Sequence, residues 1–391
     1  MTIPSLHTFV TSYTIVKADA TVVTVTRESD PRLFSAIAPS MGMLGVVVEM
    51  ELECADFQML EAKMVTISFD ELASDSVFEN FMKNNKYCRV VVYPSINNAT
   101  IWTANPVASV ETAVARGAID CSDQYINFRD ENEKAWLEQY LILCKNKQYM
   151  KSDALLHKVL GSQLSRLGHY VGRYNHVLCK ERNNGIPHAD IEFNFDFEKN
   201  GQVLKTVKEY CETKRVPYYN FEIRTTRQDD AFLSCCHSRD AMWIDFQAKA
   251  GKVSKDFFHE IEELLKPIGF RKHWAKGLGN TNPKYVVNEF PMIGEFMKIV
   301  KEYDPDGKFR NIEGEIWYQE ISELVGERVE SHDSDRRRSS LRSRHGSMRD
   351  RVSILSGGSV DEDGGRMSRS DTLRLRTESI CDTKAPEYEL E

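Results

Sequence analysis

The segment Ile191-Glu192-Phe193-Asn194-Phe195-Asp196-Phe197 alternates apolar and polar residues without a break. Side chains of a strand point to opposite faces with period 2. The phenylalanines therefore share one face, and Glu192, Asn194 and Asp196 share the other. A chain containing this run must build a sheet with a strongly apolar side. With His188 and Asp190 the acidic side has metal-ligand residue types. The plainer reading is a half-exposed strand with a solvated polar face, as on many antiparallel sheets.

Further strand signals cluster early: Thr11 to Val16, Ala20 to Thr26, Leu44 to Cys54, Met64 to Phe69, Tyr87 to Tyr93 and Thr100 to Trp102. They are short, rich in β-branched residues and bounded by turn residues such as Pro94 to Asn98. Met41 to Met50 is the longest apolar candidate and reads as a buried strand, well short of the ~18 residues that span a bilayer. The middle carries apolar residues at helical spacing over Glu131–Gln148 and Ala154–Cys179, including Tyr170 and Val171. Strands return at Ala189–Phe197, Tyr218–Thr225 and Ala241–Gln247. Helices over Gln202–Thr213, Ser254–Leu265 and Val286–Glu302 alternate with them. The fold class is α+β, a mostly antiparallel sheet covered by helices.

Composition shifts near residue 330. Residues 331–391 hold 12 Lys/Arg and 12 Asp/Glu, no Trp or Phe and many serines, so the net charge of -8 sits on the first 330 residues. Such a tail buries too little apolar surface to offset its ordering entropy and is expected to be disordered. An acidic balance argues against a general nucleic-acid binder, which needs basic residues to neutralise phosphate. Met1-Thr2-Ile3-Pro4 opens no secretory signal. The nine cysteines are odd in number, scattered and without a CxxC pair, which suits free thiols in a reducing compartment rather than disulfides or zinc.

Three further segments carry chemistry. Glu222 and Arg224 lie two apart on a strand and share a face. Together they either orient a polyhydroxy substrate and stabilise anionic charge or form a surface ion pair worth under about 1 kcal/mol. Residues alone favour the pair. His273-Trp274-Ala275-Lys276, within Arg271 to Gly279, concentrates cations, an imidazole and an indole in one loop. It is a contact for an anionic ring or a solvated basic turn. Ser40-Met41-Gly42-Met43-Leu44-Gly45-Val46 places glycines before a strand, for close backbone approach to a ligand or for a tight turn. No GxGxxG, Walker A, GxSxG or HExxH motif is present.

In this order the segments resemble the sugar-1,4-lactone oxidases, vanillyl-alcohol-oxidase type flavoproteins that include D-arabinono- and L-gulono-1,4-lactone oxidases. Asp30-Pro31-Arg32-Leu33-Phe34 with Ser40 to Val47 is similar to the end of the family's PCMH-type FAD domain. Glu222-Ile223-Arg224-Thr225 is similar to its active-site strand. His273 to Lys276 is similar to its HWGK element, with Ala275 in place of glycine. Tyr303-Asp304-Pro305-Asp306-Gly307-Lys308-Phe309-Arg310-Asn311 is similar to its DPxGxFxN element.

The resemblance implies an FAD-dependent oxidation of a sugar lactone. A carbinol C–H gives hydride to the flavin, and the hydroxyl proton goes to a base or to solvent. Molecular oxygen then takes the two electrons to give hydrogen peroxide and an ascorbate-type product. It implies Arg224 beside the reduced flavin, Glu222 on substrate hydroxyls, and Lys276 near the reacting oxygen. His273 would be the neighbour of Lys276 or a proton acceptor. Ser40, Gly42, Gly45 and Val46 would bind cofactor, with no metal. The acidic strand around Glu192 would line the substrate pocket.

The expected division is 1–58 as the second half of an FAD-binding domain, 59–328 as the substrate domain and 329–391 as the tail. The family's pyrophosphate loop and flavin-linked histidine have no counterpart, so the chain is expected to be a truncated piece that binds flavin poorly. His7 lacks the context of an attachment site. The alternative is a flavin-free binding protein regulated through its tail, where Arg336, Arg344 and Arg376 each precede a serine by three residues and suit a kinase or phospho-binding partner. The location expected is intracellular, cytoplasmic or peripheral on a mitochondrial or endoplasmic-reticulum membrane.

Overall fold

In the computed structural model the described residues are 3–74, 76–123, 133–178, 188–214, 220–249, 252–276, 282–310 and 320–324. Strands β1 (Val10–Val16), β2 (Val22–Thr26) and β3 (Val46–Leu52) form one antiparallel sheet in the order β2-β1-β3. Nine more strands follow: β4 (Met59–Ser68), β5 (Tyr87–Tyr93), β6 (Asn98–Pro106), β7 (Ile119–Asp120), β8 (His169–Arg173), β9 (His188–Asp196), β10 (Phe221–Thr226), β11 (Ala241–Lys249) and β12 (Arg271–Lys272). They form a second sheet in the order β12-β9-β11-β10-β5-β6-β4-β8-β7, antiparallel except for β7 on β8. The chain divides into two units, Met1–Asp333 and Ser334–Glu391. The second unit and the predicted tail lie outside the described residues.

The alternation at 191–197 explains the centre of the large sheet. Phe193 and Phe195 are fully buried with Phe221, Phe246, Ile223 and Ile244 on one face. Helices Val77–Asn84, Asn200–Thr213 and Lys252–Leu265 cover that face with Phe78, Val203 and Val207, and Phe257 and Ile261. Phe193 packs edge-on against Phe270, ring centroids 4.6 Å apart. Burying each such ring contributes up to about 3 kcal/mol.

The small sheet packs through Val10, Tyr13, Ile15 and Val25 onto the helix Pro31–Ile37 and the helices Pro283–Glu289 and Ile293–Tyr303. Asp30 caps the first of these, its Oδ1 accepting from Leu33 N at 2.9 Å. In the DPxGxF segment, buried Asp304 accepts from Lys308 N and Phe309 N, each at 2.7 Å, so the motif ends the helix Ile293–Tyr303 in a closed turn. Asn311 lies outside the described residues.

Three expectations are corrected. The helix expected over 154–179 ends at Leu167, and His169–Arg173 is a strand. Gly168 turns the chain; its carbonyl accepts from Met64 N at 2.8 Å, and Tyr170 and Val171 pair with Ala62 and Glu61 on β4. Tertiary pairing overrides the helical spacing there. The helix expected over 286–302 is two, broken at Phe290-Pro291-Met292 because proline lacks the amide hydrogen a helix interior needs. The strand read as buried within Met41–Met50 is exposed at every residue of β3, although Met43 and Leu44 just before it are buried. Among the described residues no helix is long and apolar enough to cross a membrane.

Candidate active site

Sheet register assembles the site. Glu192 on β9 lies opposite Asp245 on β11, which lies opposite Glu222 on β10. One pair further along, Asn194, Trp243 and Arg224 form the neighbouring row. Carboxylates opposite one another on adjacent strands destabilise a sheet unless cations intervene. Here they do. Arg224 Nη2 donates to Glu192 Oε1 at 2.7 Å. Lys276 Nζ lies 2.8 Å from Asp245 Oδ2, 3.2 Å from Glu192 Oε2 and 3.4 Å from Asp190 Oδ2. Glu222 pairs with Arg89 of β5.

The loop after β12 brings His273 and Lys276 onto this face. His273 N donates to Glu192 O at 3.0 Å, continuing the pairing of β12 with β9. Trp274 anchors the loop, its indole donating to Leu233 O at 2.6 Å and stacking near Phe290. His273 Nδ1 accepts from Ala275 N at 3.1 Å, which assigns the proton of the neutral ring to Nε2, 3.9 Å from Glu192 Oε2. Trp243 forms the floor: the Arg224 guanidinium lies 5.2 Å from its ring centroid and the His273 ring 5.8 Å.

Burial and charge set the protonation states. Burial raises the Asp245 carboxyl pKa, and the Lys276 hydrogen bond only partly offsets this. Burial lowers the pKa of His273, with Glu192 opposing, so the imidazole is biased toward the neutral form. For Lys276 burial pulls the pKa down, but the Asp245 bond and the Glu192 and Asp190 charges outweigh it and raise the value. The ammonium is thus held charged. The side chain of Arg224 is 53% exposed, whereas that of Glu192 is 1% exposed. The face offers a cation outward and keeps its compensating carboxylate inside.

All four candidate catalytic residues lie on one face: Arg224, His273 and Lys276 gather around Glu192, and Glu222 stands beside them in the Glu192–Asp245–Glu222 row, paired with Arg89. Two details differ from expectation. Glu222 and Arg224 do not pair with each other; Glu222 binds Arg89 on adjacent β5, and Arg224 reaches across β11 to Glu192 on β9. The polar face of β9 is buried and ion-paired at Glu192, not solvated, because Arg224 and Lys276 arrive from distant segments. Asp245 and Arg89 were missed. The signal for Asp245 was present in the Trp243, Asp245, Gln247 alternation, which repeats the pattern of β9.

The candidate cofactor residues lie before and at the start of β3. Ser40 is buried, and Val46 is exposed. Gly45 has φ +139°, and a Cβ there would meet Val16 O at 2.5 Å, so its role in the fold is close strand packing. Gly42 has φ +75° with nothing within 4 Å, leaving its backbone open to a ligand. Met43 and Leu44 share an apolar cluster with Trp243 and Trp274. Gly277 to Gly279 lie outside the described residues.

The fold is similar to that of cholesterol oxidase from Brevibacterium sterolicum, with a TM-score of 0.67 at 15% identity, over 81% of this chain and 71% of that one. The sequence profile of the D-arabinono-1,4-lactone oxidase family matches residues 50–320, and the chain belongs to that family. It is 25% identical to L-gulonolactone oxidase of Mus musculus over 327 residues, 78% of this chain and 68% of that one. It is 26% identical to L-gulono-1,4-lactone dehydrogenase of Mycobacterium tuberculosis (strain ATCC 25618 / H37Rv) over 124 residues, 32% of this chain and 29% of that one.

Proposed function

We propose that this chain forms the substrate side of an FAD-dependent oxidoreductase acting on a sugar-1,4-lactone such as D-arabinono-1,4-lactone. The observation that carries the reading is the gathering of Arg224, His273 and Lys276 around buried Glu192 beside Trp243, with Glu222 on the same sheet face opposite Asp245. A sugar lactone offers hydroxyls and a polarised carbonyl, which suit carboxylate acceptors and fixed cations. Bound FAD would supply the two-electron acceptor, and the protein supplies orientation and electrostatics. Arg224 would face the cofactor as a fixed positive charge, and the open backbone at Gly42 would lie against it. Glu222 would hold substrate hydroxyls. The Nδ1 lone pair of neutral His273 accepts from Ala275 N, so His273 would take the hydroxyl proton there in exchange for that bond.

Oxygen as the final acceptor, with hydrogen peroxide and an ascorbate-type product, follows the oxidases of the family. The dehydrogenase relative makes another acceptor the alternative outcome of an assay. The separate small sheet supports reading residues 1–58 as the flavin side and the large sheet as the core of the substrate side, 59–328, whose helices at 283–289 and 293–303 pack back onto the small sheet.

The test is lactone turnover with added FAD, followed by flavin bleaching and oxygen uptake. Arg224→Ala should lower kcat by about 10²–10³-fold, the usual effect of removing one preorganised charge-stabilising donor. Unchanged turnover would remove the assignment. A wild-type chain that retains no flavin spectrum and bleaches none would remove the reading for this chain.

A further inference from the structure

We propose that Glu192 is the positioning residue of this site, one buried carboxylate that holds Arg224 with one oxygen and sets the charge felt by Lys276 and His273 with the other. The inference deepens the reading above and rests on it for its catalytic meaning. By alternation alone Glu192 belongs to a solvated strand face, and none of the proposed catalytic roles falls on it.

Four observations carry it. Glu192 is 1% exposed, yet a guanidinium, an ammonium and an imidazole surround it. Its Oε1 accepts from Arg224 at 2.7 Å. Arg224 is otherwise outward-facing and lies over Trp243, so this bond fixes where its charge is presented. Oε2 is buried and accepts no hydrogen bond among the described residues, although Lys276 Nζ lies 3.2 Å away and His273 Nε2 3.9 Å away. Its backbone carbonyl accepts from His273 N, so the same residue also sets the height of the imidazole above the sheet. A buried carboxylate with one unbonded oxygen is expensive to keep unless its charge is used. Here that charge sits where it orders two cations and tunes one proton acceptor.

The groups charging the imidazole are Glu192 and Asp190 from β9, Arg224 from β10 and Lys276 from its own loop. Glu192 acts to raise the His273 pKa, whereas Arg224, Lys276 and burial act to lower it. This gives a sign test that separates charge from scaffolding. Any variant that merely loosens the site exposes His273 and moves its pKa up toward the ordinary value. Removing the Glu192 charge with packing intact moves it down.

The experiment is a nuclear magnetic resonance titration of the full, flavin-free chain with 13C-labelled histidine, the His273 signal being assigned by its loss in His273→Gln. Glu192→Gln should lower the His273 pKa by about one pH unit, the low end of what a carboxylate within 4–6 Å does to a neighbour. Arg224→Ala should raise it. An unchanged or raised value in Glu192→Gln overturns the proposal. If that variant does not fold, Glu192→Asp decides: the carboxylate withdraws by one methylene, the pKa falls by a smaller step, and an unchanged or raised value overturns the proposal. No substrate or cofactor is present, so the result stands apart from turnover. A shifted titration in a chain that turns over no lactone would sink the lactone reading and leave the role of Glu192 in holding Arg224 and tuning His273 intact.

Discussion

Strands β3 and β9 both alternate in sequence, and they end in opposite environments. In β3 every residue from Val46 to Leu52 is exposed, including Val48 at 50%. In β9 the residues from Ile191 to Phe195 are all buried, on both faces. The difference lies in what reaches each strand. β9 sits between β12 and β11, with helices on its aromatic face and the Lys276 loop on its acidic face. Among the described residues β3 sits at the edge of a three-stranded sheet and pairs only with β1. Alternation thus identifies a strand and sorts its residues by face. Burial is decided by segments far away in sequence.

The largest expected effect tests that contrast directly. Phe193→Ala should destabilise the chain by about 3–5 kcal/mol, the usual loss for a large aromatic in a close-packed core. Val48→Ala should change stability by less than about 0.5 kcal/mol. Urea unfolding of both variants measures the gap, and equal losses would break the comparison.

A second pair sharpens it at the entry to β3. Gly45→Ala should cost about 2 kcal/mol, because its backbone conformation disfavours a side chain and the new methyl group meets Val16 O. Gly42→Ala should cost about half as much, since only the backbone conformation opposes it. Thermal unfolding ranks the two. If Gly42 is open for cofactor, its variant also loses flavin retention beyond what the stability change explains.

The smallest effect concerns a milder version of the β9 arrangement. Glu61 on β4 accepts hydrogen bonds from Arg116 and His169. The Arg116 bond is the main cause that holds its carboxyl pKa down at about 2 against an ordinary 4.5, with burial opposing. A lowered acid pKa means stabilisation that is complete above about pH 4.5 and fades as pH falls through about 2. Arg116 is half exposed, so the contribution is on the order of 1 kcal/mol. Unfolding measured from pH 6 to pH 2 should show wild type losing that advantage over Glu61→Gln. A constant difference would place the stabilisation elsewhere.

Much of this was legible in the sequence, for physical reasons. The strands at 10–16, 87–93, 188–196 and 241–249 follow from β-branched and aromatic alternation, which depends only on local geometry. The helices at 200–213 and 252–265 follow from one apolar face. Glu222 and Arg224 share a face because they are two apart on a strand. What escaped was whatever depended on a partner. His169–Arg173 has helical spacing but is a strand, because Met59–Lys63 offers it an edge. Glu192 has the pattern of a solvated residue but is buried, because Arg224 and Lys276 neutralise it. Pro291 was visible as a helix breaker and was passed over for the apolar spacing around it.

Trp243 has its indole beside both a guanidinium and an imidazole, with Nε1 donating to Thr226 Oγ1 at 3.1 Å. Protonated imidazole quenches indole emission and neutral imidazole does so far less. The chain therefore carries its own optical gauge of the site. In a variant that keeps Trp243 as its single tryptophan, brightness should fall as the pH drops through the His273 transition, and a molecule settling over Arg224 should shift the emission without any added label.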